Sequence, residues 1–170
     1  LNSMACAAVC LYLGMNPEEM AEHIDKFPGA GRRFEILGEV NGVTIADDYA
    51  HHPTEIAATL KAAKEMDFHE VWAVFQPFTY SRTALLMDDF VTALSVADHV
   101  VMSEIMGSRE KNTYNVYTKD LAEKIPGSVW FNTFKEMADY TMSHAAPGDL
   151  VITLGCGDVY KCAYIMAGID

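Results

Sequence analysis

The sequence lacks any run of about 18 uncharged apolar residues, the length that a membrane-spanning helix requires, although hydrophobic residues make up 51% of its 170 positions. We therefore expect a soluble protein with no membrane partner. Basic residues are also scarce, since 12 Lys and Arg stand against 24 Asp and Glu and the net charge is -12. A protein that binds nucleic acid needs a basic surface to neutralise phosphates, so this composition argues against a nucleic-acid partner.

Cysteine is sparse and lacks the paired spacing of a metal site. No C-x-x-C pair occurs, so zinc binding by sulfur is not expected, and a reducing, cytoplasmic compartment is the simplest expectation. The sequence also has no G-x-x-x-x-G-K-[ST] phosphate loop. If the protein uses ATP, the loop that holds the triphosphate lies outside this chain. The four cysteines are Cys6, Cys10, Cys156 and Cys162.

The first residues have the pattern of two short helices. Residues 2–13 are predicted to form one helix, and the Asn-Pro-Glu-Glu string at residues 16–19 is a strong signal for the start of a second. Residues 27–31 then break the helical periodicity with Pro and Gly. We therefore expect two units, residues 1–26 and residues 27–170. Because the chain begins with Leu and enters a helix at once, we expect a fragment of a longer polypeptide.

Strands and helices alternate through the second unit. Residues 33–40 and 43–46 have the pattern of two strands joined by an Asn41-Gly42 turn, so this opening pair should be antiparallel. The alternation that follows favours right-handed crossovers and a mostly parallel sheet with helices on both faces, a three-layer α/β fold. The remaining predicted elements are helix 53–66, strand 71–75, helix 82–97, strand 99–103, helix 118–124, strand 128–131, helix 133–145, strand 150–154 and helix 159–167.

Polar side chains follow several of the predicted strands directly. In open α/β sheets, ligands bind beyond the carboxyl ends of the strands, so these segments are expected to line one edge of the sheet. Their arginine, histidine, aspartate and glycine content suits a nucleotide or another anionic small molecule. The segments are residues 47–52, 76–82, 104–109 and 155–158.

Several roles are open to the polar residues near this edge. Arg32 and Arg33 follow a glycine-rich stretch and carry guanidinium groups suited to phosphate. Asp48 could accept hydrogen bonds from ribose hydroxyls, whereas Asp47 could cap the next helix, and the pattern does not choose between these roles. The adjacent histidines at residues 51–52 lack an obvious third ligand, so we expect hydrogen bonding to substrate and no metal site.

In combination, four strings make the sequence resemble the Mur ligase family. They occur in order and at domain-scale spacing, and Asp-Asp-Tyr-Ala-His-His-Pro at residues 47–53 is highly specific. Residues 1–5 resemble the end of the family's central ATPase domain, and residues from Gly29 onward resemble its carboxyl-terminal domain. The four strings are Gly31-Arg32-Arg33-Phe34-Glu35, residues 47–55, Phe75-Gln76-Pro77 with Tyr80-Ser81-Arg82-Thr83, and Leu154-Gly155-Cys156-Gly157-Asp158.

This resemblance implies a Rossmann-like carboxyl-terminal domain, preceded by a helical tail of the central domain. The implied activity is ATP-dependent ligation of L-alanine to UDP-N-acetylmuramate in bacterial peptidoglycan synthesis. ATP and Mg²⁺ are the implied cofactors, with the Mg²⁺ ligands in the missing central domain. The amino-terminal domain is also missing, so this chain alone should be inactive.

Three other functions remain open. A murein-peptide ligase of cell-wall recycling shares similar strings and is a close alternative. A stand-alone nucleotide-binding module is a second. A domain that oligomerises through the apolar face of its first helix is a third, and the residues of that face are Met4, Ala8, Leu11 and Tyr12.

The resemblance also implies roles for single residues. Asn2 matches an asparagine near the adenine, Arg33 matches the arginine that contacts nucleotide phosphates, and Asp48 matches its partner at the ribose. Phe78 and Thr79 depart from the family, because some relatives carry His-Arg there, so one basic contact to the substrate carboxylate is expected to be missing or supplied differently. Three residues match groups that face the muramyl and amino-acid substrates: Tyr49, His51 and Arg82.

Overall fold

A computed structural model of the chain describes residues 2–27 and 29–169. The chain divides into two compact units, Leu1–Ala30 and Gly31–Asp170. The side chain of Asn2 is not among those described, so its predicted adenine contact lies outside the described part of the protein. None of the described helices is long and apolar enough to cross a membrane.

The first unit contains two helices, α1 (Asn2–Tyr12) and α2 (Pro17–Asp25). α2 begins where the sequence predicts, because the Asn16 Oδ1 accepts a hydrogen bond from the Glu18 amide at 2.8 Å. α1 carries exposed apolar side chains, including that of Tyr12 at 89% exposure. Short helices gain most of their stability from packing of an apolar face, and these two bury little apolar surface on their own.

The second unit is built around one sheet. Its strands are β1 (Glu35–Val40), β2 (Val43–Asp48), β3 (Val71–Phe75), β4 (His99–Ser103), β5 (Val129–Phe131) and β6 (Leu150–Leu154). Its helices are α3 (Pro53–Lys64), α4 (Tyr80–Leu85), α5 (Met87–Leu94), α6 (Thr118–Ala122), α7 (Phe134–His144) and α8 (Tyr160–Ala167). The strand order is β1-β2-β6-β3-β4-β5. β1 and β2 are antiparallel and the other neighbouring pairs are parallel, which confirms the predicted mixed sheet.

Helices cover both faces of the sheet, as predicted. On one face, Ile56 and Leu60 of α3 and Phe90 of α5 are buried in a single apolar cluster with the strands. On the other face, Met137 of α7 and Ala163 of α8 are buried in a second cluster. Full burial of one large apolar side chain contributes about 1.5–3 kcal/mol. These two layers therefore fix the strands and, through them, the loops at the strand ends.

The predicted helix over residues 82–97 is wrong in one respect, because the structure contains two helices there. Leu86, between α4 and α5, has φ -115° and ψ 25°, outside the α-helical region. Its side chain packs against the same buried cluster as α3 and α5. Asp88 and Asp89 then lie in the first turn of α5, where carboxylates favour a helix start. The helix is therefore interrupted at Leu86, where the leucine side chain packs against the core and neither Gly nor Pro is present.

β2 continues to Asp48, two residues beyond the predicted end of this strand. Asp47 and Asp48 pair in register with Thr153 and Leu154 of β6. The sequence predicts that both aspartates follow the strand. In the structure they belong to it, because hydrogen bonds compensate the cost of burying their carboxylates.

The β1–β2 hairpin turns at Asn41 and Gly42, which have positive φ values of 53° and 81°. Turns of this kind favour Asn-Gly, and the predicted hairpin is confirmed. A Cβ on Gly42 would lie 2.8 Å from the Cβ of Pro147. Both the backbone conformation and the available space therefore require glycine at this position.

Replacement of Gly42 with Ala is expected to lower the free energy of unfolding by about 1–3 kcal/mol, because the positive φ is strained for alanine and the methyl group meets Pro147. Urea unfolding followed by the fluorescence of Trp72 and Trp130 measures this change. Gly38→Ala is the matched control, since Gly38 also belongs to the hairpin but has no atom within 4 Å of an added Cβ. Equal unfolding midpoints for the two variants would contradict the prediction.

Candidate functional site

The carboxyl ends of β2, β6, β3 and β4 lie side by side at one edge of the sheet. β3 is followed by α5 on one face and β6 by α8 on the other, and such a change of side opens a crevice between the two strand ends. Because β1 runs antiparallel, its first residue also lies at this edge, where Glu35 is opposite Asp47. The polar segments that the sequence places beyond the strands therefore share this edge, which we call the carboxyl edge.

All four arginines of the sequence belong to the carboxyl edge. Arg32 and Arg33 precede β1, Arg82 lies in α4 directly after β3, and Arg109 follows β4. The whole chain has a net charge of -12, so this concentration of guanidinium groups has to be a local feature. Clustered cationic side chains raise the local concentration of anions. The carboxyl edge is therefore the part of the described surface best suited to an anionic ligand.

Arg32 joins three segments of this edge. Its Nε donates to Asp47 Oδ2 at 2.6 Å, and its Nη2 donates to the carbonyl of Gly155 at 2.7 Å. The guanidinium carbon also lies 5.0 Å from the ring centre of Tyr49 and 4.9 Å from that of Tyr160, within the cation–π range. Arg32 therefore connects β2 to the loop after β6, and its donors are largely occupied by the protein.

Asp47, the partner of Arg32, is only 1% exposed. Its second oxygen, Oδ1, accepts a hydrogen bond from the Thr153 hydroxyl of the adjacent strand at 2.6 Å. Each carboxylate oxygen thus has a donor, as a buried charge requires. Asp47 does not cap α3, because His52 occupies the N-cap position. The structure therefore excludes the helix-capping role that the sequence allowed for Asp47, which pairs with Arg32 instead.

Arg33 differs from its neighbour in being exposed. Its guanidinium carbon lies 5.4 Å from the ring centre of Tyr49, so this tyrosine is within cation–π distance of both arginines. Arg33 makes no side-chain hydrogen bond to any of the described residues. Its donors are therefore available to a ligand, whereas those of Arg32 are not. This geometry is compatible with the phosphate contact predicted for Arg33, which remains a prediction.

The Asp48 carboxylate fixes two backbone segments at the carboxyl edge through hydrogen bonds. It is 6% exposed, and its oxygens accept hydrogen bonds from the amides of Phe34 and Ala50, each at 2.7 Å. It thereby fixes the segment that carries Arg33 against the end of β2. A carboxylate has about four acceptor sites, so these two bonds leave capacity for the ribose hydroxyls that the sequence predicts as its partners.

The two histidines at the start of α3 hydrogen-bond differently at Nδ1. The Nδ1 of His52 accepts a hydrogen bond from the Thr54 amide at 3.3 Å, so this nitrogen is unprotonated. The Nδ1 of His51 lies 3.1 Å from the carbonyl of Tyr49, which can only accept, so here Nδ1 is the donor. Across residues 2–27 and 29–169, no three His, Cys, Asp or Glu side chains are grouped to hold a metal ion.

Glu55 orders the start of α3 from within its first turn. Its Oε2 accepts hydrogen bonds from the amides of His51 and His52 at 3.1 and 3.2 Å. Partial burial acts to raise the pKa of Glu55, but these two amides, with the charges of His51 and Arg33, outweigh it and hold the pKa below its ordinary value. The ionised carboxylate therefore fixes the backbone that carries both histidines.

The loop after β6 lies tightly against the end of β3. Gln76 is buried, and its Oε1 accepts a hydrogen bond from the amide of Asp158 at 3.0 Å. A Cβ on Gly157 would lie 2.6 Å from the same oxygen and 2.8 Å from the Sδ of Met106. Glycine is needed at residue 157 for this close approach. Burial raises the pKa of the adjacent Cys156 thiol, so the thiol stays protonated at neutral pH.

Arg82 is the third residue of α4. Its Nη1 is buried and has no hydrogen-bond partner in the described part of the chain. Buried polar groups are almost always hydrogen-bonded, so the geometry lacks one acceptor at this nitrogen. A carboxylate or phosphate would supply it with a charge-assisted bond.

Three residues that shape this edge have no role assigned from the sequence. Gln76 directly follows the wholly buried strand β3, and a polar residue at that position is the available signal. Tyr160 carries no comparable signal, and Glu110 belongs to a polar loop. A cleft of about 380 Å³ also opens beside Gln76, a volume within the range of small-molecule sites. Other residues that line it are Ser103, Glu104, Met106, Asn132 and Thr133.

The chain is similar in sequence to known proteins. The family model described as Mur ligase, glutamate ligase domain matches residues 32–157. A UDP-N-acetylmuramate–L-alanine ligase of Acetivibrio thermocellus is 42% identical over 164 residues, which are 94% of this chain and 35% of the relative. A ligase of the same name from Agathobacter rectalis is 46% identical over 164 residues, or 94% of this chain and 36% of the relative. The chain therefore spans about a third of the length of these relatives.

Solved structures share the fold. The UDP-N-acetylmuramate–alanine ligase of Thermotoga maritima superimposes with a TM-score of 0.80 at 24% identity, covering 98% of this chain and 36% of that one. A murein peptide ligase of Psychrobacter arcticus gives a TM-score of 0.68 at 22% identity, covering 98% of this chain and 35% of that one. At these identities the two superpositions show a common fold and no more.

Removal of the Arg32 side chain is expected to cost about 3 kcal/mol of unfolding free energy, because it leaves the buried Asp47 carboxylate unpaired. Arg33→Ala is the matched control, since the adjacent arginine is exposed, and it should change the unfolding midpoint little. The double variant Arg32→Ala/Asp47→Asn should be more stable than Arg32→Ala alone, because no unpaired charge remains. Urea unfolding measures all three. Equal losses for Arg32→Ala and Arg33→Ala would show that Arg32 does not connect these segments.

The depressed pKa of Glu55 predicts a pH dependence of stability. The contribution of the carboxylate is fully present above its ordinary pKa of 4.5 and is lost as the pH falls through the lower pKa of the folded state. The difference in unfolding midpoint between wild type and Glu55→Gln should therefore shrink as the pH falls from about 6 to about 3, a range that brackets this ordinary value. Glu65→Gln, at the other end of α3, is the control. A difference that stays constant with pH would refute this assignment.

Proposed function

The chain belongs to the Mur ligase family, and we propose that it is the carboxyl-terminal domain of a bacterial, cytoplasmic enzyme that uses ATP to ligate L-alanine to UDP-N-acetylmuramate. The observation that carries this proposal is the match of nearly the whole chain to ligases of that name. We assign residues 1–26 to the end of a central ATPase domain and residues 27–170 to the carboxyl-terminal domain. The remaining length of the relatives would supply the phosphate loop and the uridine-nucleotide site.

The proposed reaction proceeds through an acyl phosphate. The muramyl carboxylate takes the terminal phosphoryl group of ATP, the amine of L-alanine attacks the acyl carbon, and the tetrahedral intermediate expels phosphate. Negative charge builds on the phosphoryl and carbonyl oxygens, where fixed cationic donors stabilise it. Mg²⁺ would add charge stabilisation, but the described residues offer no three-ligand group, so we assign its ligands to the rest of the polypeptide. The cationic donors that this chain would contribute to that stabilisation are arginines.

Arg33 and Asp48 form the nucleotide side of the proposed site. Arg33 is supported by its exposed guanidinium, which no described residue engages in a side-chain hydrogen bond. Asp48 is supported by its position at the end of β2, where two amide hydrogen bonds hold the carboxylate and leave it acceptor sites for ribose hydroxyls. Because Asp48 also bonds the amide of Phe34, it positions the segment that carries Arg33.

Tyr49, His51 and Arg82 form the acceptor side. Arg82 is supported by its buried Nη1, which lacks an acceptor and would gain one from a substrate carboxylate. His51 is supported by the Nδ1–H hydrogen bond to the Tyr49 carbonyl, which orients the ring and leaves Nε2 without a hydrogen bond to any described residue. The Tyr49 ring lies within cation–π distance of Arg33 and 5.6 Å from the ring of His51, so it contacts a residue of each side.

A murein-peptide ligase, which would attach a whole peptide in place of one amino acid, is the second candidate. A murein peptide ligase shares the fold over 98% of this chain, so the architecture is compatible with this candidate. Its TM-score of 0.68 is lower than the 0.80 of the alanine ligase. The ranking of the two therefore rests on the names of the sequence relatives, and acceptor preference decides between them.

Arg33→Ala in the full-length polypeptide is expected to raise KM for ATP by about tenfold or more, because a charge-assisted phosphate contact is lost. The measurement is phosphate release with UDP-N-acetylmuramate and L-alanine. Lys135→Ala is the control, because Lys135 is 70% exposed on α7 and pairs with Asp139 of the same helix. That variant should keep wild-type kcat and KM.

Other outcomes of the same assay identify the alternatives. Preference for the L-alanyl-glutamyl-diaminopimelate tripeptide over L-alanine would assign the recycling ligase. ATP cleavage that needs neither substrate would overturn the ligase proposal. Saturable ATP binding by the 170-residue chain, insensitive to Arg33→Ala, would favour a stand-alone nucleotide-binding module. Concentration-dependent sedimentation of that chain would favour association through α1.

A further inference from the structure

The loop between β4 and α6 lies against the loop that leads into α4. The amide of Met106 donates to the carbonyl of Pro77 at 3.0 Å. A Cβ on Gly107 would lie 2.7 Å from the ring of Tyr80, so the two segments are in close contact there. The position of α4 is therefore set partly by a loop that follows it by more than twenty positions in the sequence.

Glu110 makes the strongest polar contact between these loops. Its Oε2 accepts a hydrogen bond from the amide of Ser81 at 2.9 Å, and its Oε1 accepts one from the Ser81 hydroxyl at 2.5 Å. These two hydrogen bonds are the largest causes that hold the pKa of Glu110 below its ordinary value, and Arg82 adds a smaller effect of the same sign. Glu110 is therefore an anion at neutral pH, and both of its carboxylate oxygens are hydrogen-bonded to Ser81.

α4 needs this contact because it is short. The first four amides of a helix lack acceptors within the helix, and α4 has only six residues. Its own N-cap, Thr79, accepts from the Arg82 amide at 3.4 Å, a long hydrogen bond. The Ser81 amide instead has its acceptor in another loop, at Glu110. Glu110 thus satisfies the first turn of α4 from outside the helix.

Arg82 directly follows the serine that Glu110 holds. The direction of its side chain depends on the backbone of this first turn, and its buried Nη1 still lacks an acceptor. We propose that Glu110 is a positioning residue, which holds the first turn of α4 so that the Arg82 guanidinium meets the carboxylate of the incoming amino acid. This inference rests on the proposed function and deepens it, because it names the residue that determines how the acceptor is recognised.

Glu110→Gln in the full-length polypeptide is expected to raise KM for L-alanine by about tenfold while kcat and KM for ATP change less than about twofold. Glutamine has the same shape but loses the charge and one of the two acceptors. Glu123→Gln, an exposed glutamate at the end of α6, is the matched control and should match wild type. An unchanged KM for L-alanine in Glu110→Gln would overturn the proposal.

A double-mutant cycle separates positioning from a general loss of stability. If Glu110 acts through Arg82, Glu110→Gln should have little further effect on KM for L-alanine in an Arg82→Lys background, whereas independent effects would multiply. Multiplying effects would overturn the proposal. Ser81→Ala, which removes only the hydroxyl hydrogen bond, should give a smaller increase in KM than Glu110→Gln.

Hydrogen exchange of the 170-residue chain tests the contact without activity. The amide of Ser81 should exchange at least about tenfold faster in Glu110→Gln, with the global unfolding midpoint unchanged. Unchanged exchange at Ser81 would overturn the proposal. If instead the wild-type enzyme releases no phosphate with both substrates, the ligase assignment fails and the substrate role of Glu110 fails with it. A failure confined to the Glu110 variant leaves that assignment standing.

Discussion

The buried ion pair between Arg32 and Asp47 is the interaction on which the carboxyl edge depends. An exposed pair such as Lys135–Asp139 contributes about 0.2–1 kcal/mol, whereas an unpaired buried carboxylate costs several kcal/mol. Asp47 is 1% exposed, so the pair belongs to the second class. Because Arg32 also holds the carbonyl of Gly155, the start of β1, the end of β2 and the loop after β6 are fixed together. Arg33 and Tyr49 are placed as their immediate neighbours.

Burial explains which elements the sequence could predict. β3, β4 and β6 match the predicted strands residue for residue, because each is a short, mostly apolar run between polar segments and lies in the core except for His99 at the start of β4. The break at Leu86 was not predictable, since it comes from packing of a leucine against residues distant in sequence and no Gly or Pro marks it. Local pattern decides an element when its burial is uniform, and tertiary packing decides it when its burial is not.

The same distinction applies to the two arginines. The sequence treats Arg32 and Arg33 alike, and only the family resemblance singled out Arg33 for the nucleotide. In the structure, Arg32 and Phe34 both have positive φ, 56° and 48°, so this segment is not extended. Non-glycine residues seldom adopt this conformation, so no local signal indicates it. The amide of Phe34 is held by Asp48, a contact across fourteen positions that only the fold reveals.

The sequence indicates which residues lie at the carboxyl edge, but only the fold shows which of them are paired. Ser81 and Glu110 are 29 positions apart, and Gln76 and Asp158 are 82 apart, so spacing could not connect them. Once these pairings are made, two exposed guanidinium groups, those of Arg33 and Arg109, make no side-chain hydrogen bond to a described residue, and the buried Nη1 of Arg82 lacks an acceptor among them. Acidic residues outnumber basic ones two to one in the chain, so an anion gains little from the rest of this surface. Under the proposed function, this edge therefore offers an anionic substrate a few placed cationic groups in place of a broadly positive surface.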